Sequence, residues 1–329
     1  MRAVGFKVNG GPEVFEEIEV PVPVPKPRQV LIRVAYAGVN FAEVQHRRGE
    51  FGEPDGHNGY DIPGLEVSGT VVGVGTGVTD LVVDQQVAAY LPAFGGYAEF
   101  AVTDAAFARP VGEVPLAQAA GLPCVFPTAY GAVTDAGRLR AGDSVLIHAA
   151  AGGVGSAAAG IARALGARRV FGTVGDAPGK REHAATLGYD AVFSRNEFTE
   201  GILAATGGRG VDLVLDPVGG VTRKASLELL APFGRVVVYG DLGRSGDWTA
   251  DVWDLWKNNK SIAGFNVGAL ARTTPDLIGA YLSKALDAIT RRELSQPLPS
   301  IVPLRDAQRA HRLLEAGTTV GKTVLAVAP

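Results

Sequence analysis

The stretch that decides the fold is "VLIHAAAGGVGSAAAGIARALGA", residues Val145 to Ala167. It lies in a long uncharged run, which raises the question of a membrane span. A spanning helix needs about 20 predominantly apolar residues, and lipid offers no partner for backbone groups freed by a turn. Three glycines, Gly152, Gly153 and Gly155, interrupt this run. We therefore predict a buried strand at 145–147, a glycine turn, and a helix from 154 to 165 that Gly166 ends.

Composition limits the classes of protein to consider. The 329 residues exceed the usual size of one hydrophobic core, so we expect two domains. The net charge is −3 and the basic residues are scattered, which argues against nucleic-acid binding. The opening "MRAVGFKVNGG" has no apolar targeting region, and we expect a cytoplasmic protein with no membrane segment. The single cysteine, Cys124, excludes an internal disulfide and a multi-cysteine zinc site.

The pattern of the chain changes near residue 139. Before it come short β-rich runs broken by Gly and Pro, such as "QVLIRVAYAGV" and "LEVSGTVVGVG". After it, strands alternate with helices, which predicts a parallel, doubly wound sheet. The tail after residue 275 resembles the first half again, so the middle domain reads as an insertion. We predict an α/β protein with a β-rich domain formed by 1–120 and 267–329 and a dinucleotide-binding domain at 121–266.

The glycine turn predicts a phosphate site. Ala150, Gly152 and Gly155 occupy the three positions of a G-x-G-x-x-G pattern, with Ala at the first. Backbone amides at the start of the following helix, together with its dipole, can receive a dinucleotide pyrophosphate. The predicted strand before the turn and helix after it supply the context that this motif requires. A purely structural tight turn is the alternative.

The end of the next strand indicates which dinucleotide is bound. An acidic residue there would hold a free ribose 2′-hydroxyl, but the strand ends at Thr173, and Lys180 and Arg181 follow. Basic donors suit a 2′-phosphate, so we predict NADPH. Two alternatives stay open. Asp176 would favour NAD if it folded back onto the ribose, and the two basic residues would have no role if they formed a solvated helix face.

Four motifs occur in a fixed order: "GVNFAEVQHRRGEF", "PGLEVSGTVVGVG", "AGLPCVFPTAYGAV" and "HAAAGGVGSAA". With them the chain resembles, over nearly its whole length, the zinc-independent quinone oxidoreductases of the medium-chain dehydrogenase/reductase superfamily. The resemblance implies a GroES-like β-rich domain that carries the active-site cleft and a Rossmann domain. It also implies NADPH as cofactor and a homodimer. Enoyl reductases of polyketide and fatty-acid synthesis share these motifs.

The resemblance also implies the residues of the site. Asn40 matches an asparagine beside the nicotinamide and is the predicted catalytic residue. Arg195 stands where the family often has a tyrosine, a change that keeps anion binding. Gln45 and Phe51 stand where bacterial quinone reductases have two cleft tyrosines, which argues against a simple benzoquinone substrate. The predicted cofactor residues are Asn40, Thr128, Ala150, Gly152, Gly153, Val154, Gly155, Thr173, Lys180, Arg195, Tyr239, Gly240, Phe265, Asn266 and Val267.

No metal site is predicted. Catalytic zinc takes three protein ligands from Cys, His and carboxylate. By the resemblance, Asn40 replaces the usual cysteine and Leu65 the usual histidine, which leaves Glu66 without a partner. The remaining candidates, His46, His57 and Cys124, match no known ligand spacing. We interpret Cys124 as a small buried apolar residue.

The chemistry is predicted to reside in the cofactor, because no Ser-His-Asp or paired-carboxylate pattern occurs. Hydride would reach the β-carbon of an alkene conjugated to a carbonyl, with Asn40 or backbone amides holding the enolate oxygen and water supplying the proton. This predicts an NADPH-dependent reductase of quinones or α,β-unsaturated carbonyl compounds. Two alternatives are an enoyl-thioester reductase of a biosynthetic pathway and a non-catalytic NADPH-binding protein. Substrate choice is expected to depend on the loop from Glu50 to Tyr60.

Overall fold

The computed structural model describes residues 1–52, 59–243, 246, 248–294 and 296–327. The chain divides into two compact units. The first comprises Met1–Cys124 and Gly268–Pro329, and the second comprises Val125–Val267. These ranges lie close to the predicted segments 1–120, 121–266 and 267–329, whose functional assignment stays a prediction. Among the described residues, no helix is long and apolar enough to cross a membrane.

The first unit is built on a seven-stranded sheet. The strands of this unit are β1 Arg2–Gly5, β2 Glu16–Glu19, β3 Gln29–Val39, β4 Glu66–Val74, β5 Gln86–Tyr90, β6 Phe100–Asp104, β7 Ala108–Pro110, β14 Ser300–Pro303 and β15 Thr323–Ala326. Along the sheet the order is β14-β15-β3-β4-β5-β7, while β6 pairs with β3, and β1 and β2 form a separate antiparallel pair. Its helices are α1 Phe41–Arg47, α2 Leu116–Ala119, α10 Pro275–Thr290 and α11 Ala307–Glu315, with α9 Val267–Thr273 beginning at its boundary, and 3-10 turns lie at Pro12–Val14, Ala105–Phe107 and Leu304–Asp306.

Strand β3 explains why this sheet forms. Val30, Ile32 and Val34 are buried and Arg33 between them is exposed, as expected where successive side chains of a strand point to opposite faces. The proline-rich connector at 20–27 contains no strand, because proline lacks the amide that a ladder needs. Strands β3 and β15 pair antiparallel, with Val39 opposite Thr323. This pairing brings Asn40, which follows β3, next to Lys322, which precedes β15.

The second unit is a parallel sheet covered by helices. Its strands are β8 Ser144–Ile147, β9 Arg169–Val174, β10 Ala191–Ser194, β11 Val211–Asp216, β12 Leu230–Val238 and β13 Ser261–Gly264. Its helices are α3 Val125–Gly131, a π-helix Ala132–Ala136, α4 Gly153–Ala164, α5 Lys180–Ala185, α6 Phe198–Ala205, α7 Gly220–Glu228 and α8 Val252–Lys257. The predicted helix at 154–165 thus begins and ends one residue earlier, and Gly166 follows it with φ +84°.

The strand order fixes the place of a ligand site. The order is β10-β9-β8-β11-β12-β13, and every neighbouring pair is parallel. Counted along the chain from β8, this is the 3-2-1-4-5-6 order of dinucleotide-binding domains. The order reverses between β8 and β11, and in such sheets ligands bind outside the carboxyl ends of the strands at this reversal.

Candidate active site

The predicted glycine turn lies at the carboxyl end of β8. Ala149 there has φ +53°, an uncommon conformation for a residue with a side chain. Gly152 is the N-cap of α4 and contributes no side-chain cap, so the first amides of the helix keep their hydrogen-bonding capacity for a ligand. A Cβ on Gly155 would lie 2.5 Å from the Ala149 oxygen and 2.8 Å from the Ala150 Cα. Only glycine fits at 155, and the turn matches a pyrophosphate cradle.

Behind the turn lies a buried hydrogen-bonded chain that the sequence did not predict. His148 Nε2 is 2.7 Å from Ser226 Oγ, and His148 Nδ1 is 2.7 Å from Thr173 Oγ1. Ser226 donates its hydroxyl proton to the Thr222 carbonyl, so it must accept from Nε2–H. Nδ1 is then the acceptor, and Thr173 donates to it. The Thr173 hydroxyl is thereby used inside the protein and offers no donor to a 2′-phosphate.

Two cations lie near the carboxyl ends of β9 and β10. Lys180 begins α5, and burial together with nearby Arg195 lowers the pKa of its ammonium. Within the described part of the chain, neither cation forms an ion pair with an acid. Arg181 differs from this pair because its Nε donates to the Val192 carbonyl at 3.1 Å. Asp176 is exposed. Lys180 and Arg195 thus supply the kind of basic donors that a 2′-phosphate requires.

The remaining cofactor candidates of this unit follow later strands. Tyr239 and Gly240 come after β12, Phe265 and Asn266 come after β13, and Val267 begins α9. Thr128 is buried in α3. The last residue of the same helix is Gly131, and a Cβ there would collide with the Phe265 ring. The sequence missed a buried ion pair that holds the Gly240 segment: Arg223 Nε donates to Asp216 at 2.7 Å and Arg223 Nη2 to the Gly240 carbonyl at 3.0 Å.

In the first unit, Asn40 is the N-cap of α1 and belongs to a network of charged side chains. Its Nδ2 donates to Glu43 Oε1 at 3.2 Å and to Glu66 Oε1 at 3.0 Å. Its Oδ1 accepts from Lys322 Nζ at 2.6 Å. Its backbone amide donates to Glu43 Oε2 at 2.5 Å, which completes a capping box with the third residue of the helix. The amide thus lies between two carboxylates and one ammonium.

The network is buried and carries one excess negative charge when both glutamates are ionised. Glu43 and Glu66 are 0% exposed and Lys322 is 7% exposed. Burial is the main cause that raises the pKa of Glu43 to about 7, and burial followed by the two carboxylates raises the pKa of the Cys124 thiol. Glu66, which the sequence left without partner ligands for a metal, is paired within the protein: Lys322 Nζ lies 2.5 Å from Glu66 Oε1, and the Cys124 amide donates to Oε2 at 2.7 Å.

The substrate-side residues of the first unit are only partly described. Gln45 Nε2 donates to Glu50 at 2.8 Å, and Phe51 is 58% exposed. The His46 ring stacks on Phe94 with centroids 3.9 Å apart. His57 and most of the predicted specificity loop, residues 53–58, lie outside the described residues. In the described ranges, no three His, Cys, Asp or Glu side chains are grouped to hold a metal ion.

Family comparison agrees with this architecture. Residues 26–113 match the alcohol dehydrogenase GroES-like domain, and residues 153–283 match the zinc-binding dehydrogenase family. Fold and glycine turn therefore define a medium-chain dehydrogenase/reductase, which confirms the predicted fold class. The name of the second family mentions zinc, whereas the chain carries Asn40 and Leu65, and a leucine side chain cannot bind a metal.

Three solved structures place the chain more narrowly. The Pseudomonas syringae quinone oxidoreductase is 30% identical, with a TM-score of 0.89 and 99% of each chain covered. The Escherichia coli quinone oxidoreductase complexed with NADPH is 27% identical, with a TM-score of 0.90, 99% of this chain and 100% of that one covered. CurK enoyl reductase is 27% identical, with a TM-score of 0.87 and 99% of each covered. The chain belongs to the zinc-independent, quinone oxidoreductase-like family of the superfamily, as the motifs indicated.

A curated relative gives a second view of the same family. The phthioceranic/hydroxyphthioceranic acid synthase of Mycobacterium tuberculosis is 37% identical over 303 residues, which cover 90% of this chain. They cover only 14% of the synthase. The chain therefore matches one segment of a much longer protein.

Proposed function

We propose that the protein is an NADPH-dependent, zinc-independent reductase that transfers hydride to a quinone or an α,β-unsaturated carbonyl compound. The observation that carries the proposal is the cation pair Lys180 and Arg195, which has no acidic partner among the described residues. It lies at the strand ends where an NAD-binding domain would place a carboxylate. The E. coli quinone oxidoreductase, similar over its whole length, is an NADPH complex.

The chain supplies position and electrostatics, and bound NADPH supplies the hydride. The amides that open α4 would receive the pyrophosphate, Gly155 lets α4 pack closely against the turn, and Lys180 with Arg195 would bind the 2′-phosphate. A conjugated enone accepts hydride at its β-carbon while charge develops on its oxygen, and water delivers the proton. Asn40 is the proposed catalytic residue.

The proposal extends to partners and location. We infer a small-molecule substrate, no nucleic acid, no membrane attachment and a cytoplasmic location, in keeping with a reaction that consumes NADPH. We also infer a homodimer. Supporting this, β13 lies at one end of the described sheet, and Trp253 and Trp256 of the preceding helix are 66% and 68% exposed.

The decisive experiment measures the dissociation constants of NADPH and NADH for variants of the cation pair. A charge-assisted hydrogen bond contributes about 1.5 to 3 kcal/mol, so Lys180→Ala and Arg195→Ala should each weaken NADPH binding roughly tenfold to a hundredfold. NADH binding should hardly change. Arg169→Ala is the matched control, because Arg169 is exposed at the opposite end of β9. Equal use of NADH and NADPH by the wild type would overturn the cofactor assignment.

A second candidate is an enoyl-thioester reductase, favoured by the similarity to the mycobacterial synthase and to CurK enoyl reductase. The test compares kcat/KM for NADPH oxidation with a crotonyl-pantetheine thioester and with a free enone of the same carbon skeleton. A preference of roughly a hundredfold or more for the thioester, about 2.7 kcal/mol, would assign this function. Tight NADPH binding without turnover of any quinone, enone or thioester would identify a non-catalytic binding protein.

A further inference from the structure

The surroundings of Asn40 fix which way its amide points. An ammonium only donates hydrogen bonds, so Oδ1 must face Lys322. The Nδ2 group then faces Glu43 and Glu66. Both amide hydrogens are engaged within the protein. Oδ1 accepts from Lys322 and, in the capping box, from the Glu43 backbone amide, so both ends of the amide are held by the protein.

The Lys322 ammonium is also fully hydrogen-bonded within the protein. Its three hydrogens have three acceptors: the Val39 carbonyl at 2.9 Å, Asn40 Oδ1 at 2.6 Å and Glu66 Oε1 at 2.5 Å. The ammonium thus connects the last residue of β3, the N-cap residue of α1 and the first residue of β4. A mobile surface lysine would not hold three fixed acceptors of this kind, and this one is 7% exposed.

The backbone leaves space for this arrangement. A Cβ on Gly38 would collide with the Glu66 carboxylate, so glycine at 38 allows Glu66 to reach Asn40 and Lys322. Glu43 is held by a further bond from the Leu65 amide at 2.9 Å. Every side chain around the Asn40 amide is therefore fixed by at least one contact outside the amide itself.

We propose that Lys322 and Glu66 are positioning residues that lock the Asn40 amide in one orientation beside the reacting groups, in which it is not an oxyanion donor. The inference rests on the proposed function, because it assigns how the catalytic asparagine is held. It differs from the expectation that Asn40 donates to the enolate oxygen, since both donors are already used.

A double-mutant cycle tests whether Lys322 acts through Asn40. We compare kcat and KM of the wild type, Asn40→Ala, Lys322→Met and the double variant, with thermal unfolding measured in parallel. Each single change should lower kcat/KM roughly 10- to 1000-fold, mainly through kcat. The double variant should be within about threefold of the worse single variant, because the second change removes nothing further. Lys26→Met, at an exposed lysine of the same unit, should behave as wild type.

A charge-matched variant separates positioning from stability. Lys322→Met leaves two buried carboxylates without a cation and can prevent folding. Glu66→Gln/Lys322→Met removes one charge of each sign and restores the net charge of the wild-type network. We expect its melting temperature to recover while kcat/KM stays at least tenfold low. Recovery of both would show a merely structural role and overturn the inference, as would multiplicative effects in the cycle. Wild-type protein without turnover would instead overturn the proposed function, and this inference with it.

Discussion

At the scale of single residues, His148 connects the cofactor turn to the stability of the second unit. Its imidazole is 0% exposed, and burial lowers its pKa from 6.5 to about 4. Neutral His148 accepts a hydrogen bond from Thr173 at Nδ1 and donates one to Ser226 from Nε2. Protonation of Nδ1 removes this acceptor and breaks the hydrogen bond from Thr173. The folded protein therefore resists protonation that the unfolded chain accepts.

We predict an acid-sensitive stability that depends on His148. Between pH 6.5 and 4 the unfolded chain binds a proton that the folded chain excludes, so the free energy of unfolding falls as pH falls. The shift corresponds to about 3 kcal/mol across this window. His148→Gln, which keeps a donor and an acceptor, should lose less stability than the wild type between pH 7 and 4. Denaturant unfolding at both pH values gives the comparison, and identical pH dependences would contradict the prediction.

A second prediction at this scale concerns metal. Because asparagine and leucine stand at positions 40 and 65, where the resemblance places zinc ligands, activity should survive exhaustive chelation. Elemental analysis of active protein should find well under one zinc per chain. Loss of activity on chelation, with recovery on adding zinc back, would show that this interpretation of the two positions is mistaken.

Single residues are also where sequence reasoning was weakest. The asparagine, the glycine turn and the basic residues after β9 belong to local patterns, so each could be proposed from neighbours in sequence. Glu66 and Lys322 could not be paired, because antiparallel strands of one sheet bring together residues that are far apart in the chain. The inward hydroxyl of Thr173 was equally hidden, since its direction depends on His148.

At the scale of elements, periodicity predicted the strands and helices well. The predicted strand at 145–147 lies within β8, and the predicted helix at 154–165 became α4. The boundaries shifted by a residue where capping geometry decided them, as at Gly152 and Gly166. Capping depends on backbone angles that composition does not determine.

A substitution at Gly155, in the first turn of α4, tests whether the glycine turn binds NADPH. Gly155→Ala places a methyl group against the Ala149 oxygen, which forces the turn to open. The dissociation constant of NADPH should rise at least tenfold, roughly 1.4 kcal/mol or more, when followed by fluorescence titration. Gly73→Ala in β4 is the control, because a Cβ there would make ordinary contacts at 3.6 Å from Leu31. Unchanged NADPH affinity in a folded Gly155→Ala protein would exclude this turn from the cofactor site.

At the scale of the whole molecule, the exposed apolar surface of the second unit bears on assembly. Trp253 and Trp256 are two-thirds exposed on α8, with ring centroids 4.6 Å apart. Large aromatic side chains of this kind contribute strongly to binding energy when an interface covers them. The end strand β13, which follows α8, pairs only with β12 among the described strands, so its other edge is open to a strand of a second copy.

We predict that the protein is a dimer in solution and that this face holds it together. Light scattering coupled to size exclusion should give twice the 34.1 kDa chain mass for the wild type. Trp253→Glu/Trp256→Glu should shift the mass toward that of one chain. Burying two unpaired carboxylates at an interface is more unfavourable in free energy than the remaining contacts are favourable. Val221→Glu, at an 86% exposed residue of α7, adds a comparable charge elsewhere on the same unit and should leave the dimer intact. NADPH binding should persist in both variants, which shows that they are folded. A monomeric wild type, or a double tryptophan variant that stays dimeric, would place the interface elsewhere or remove it.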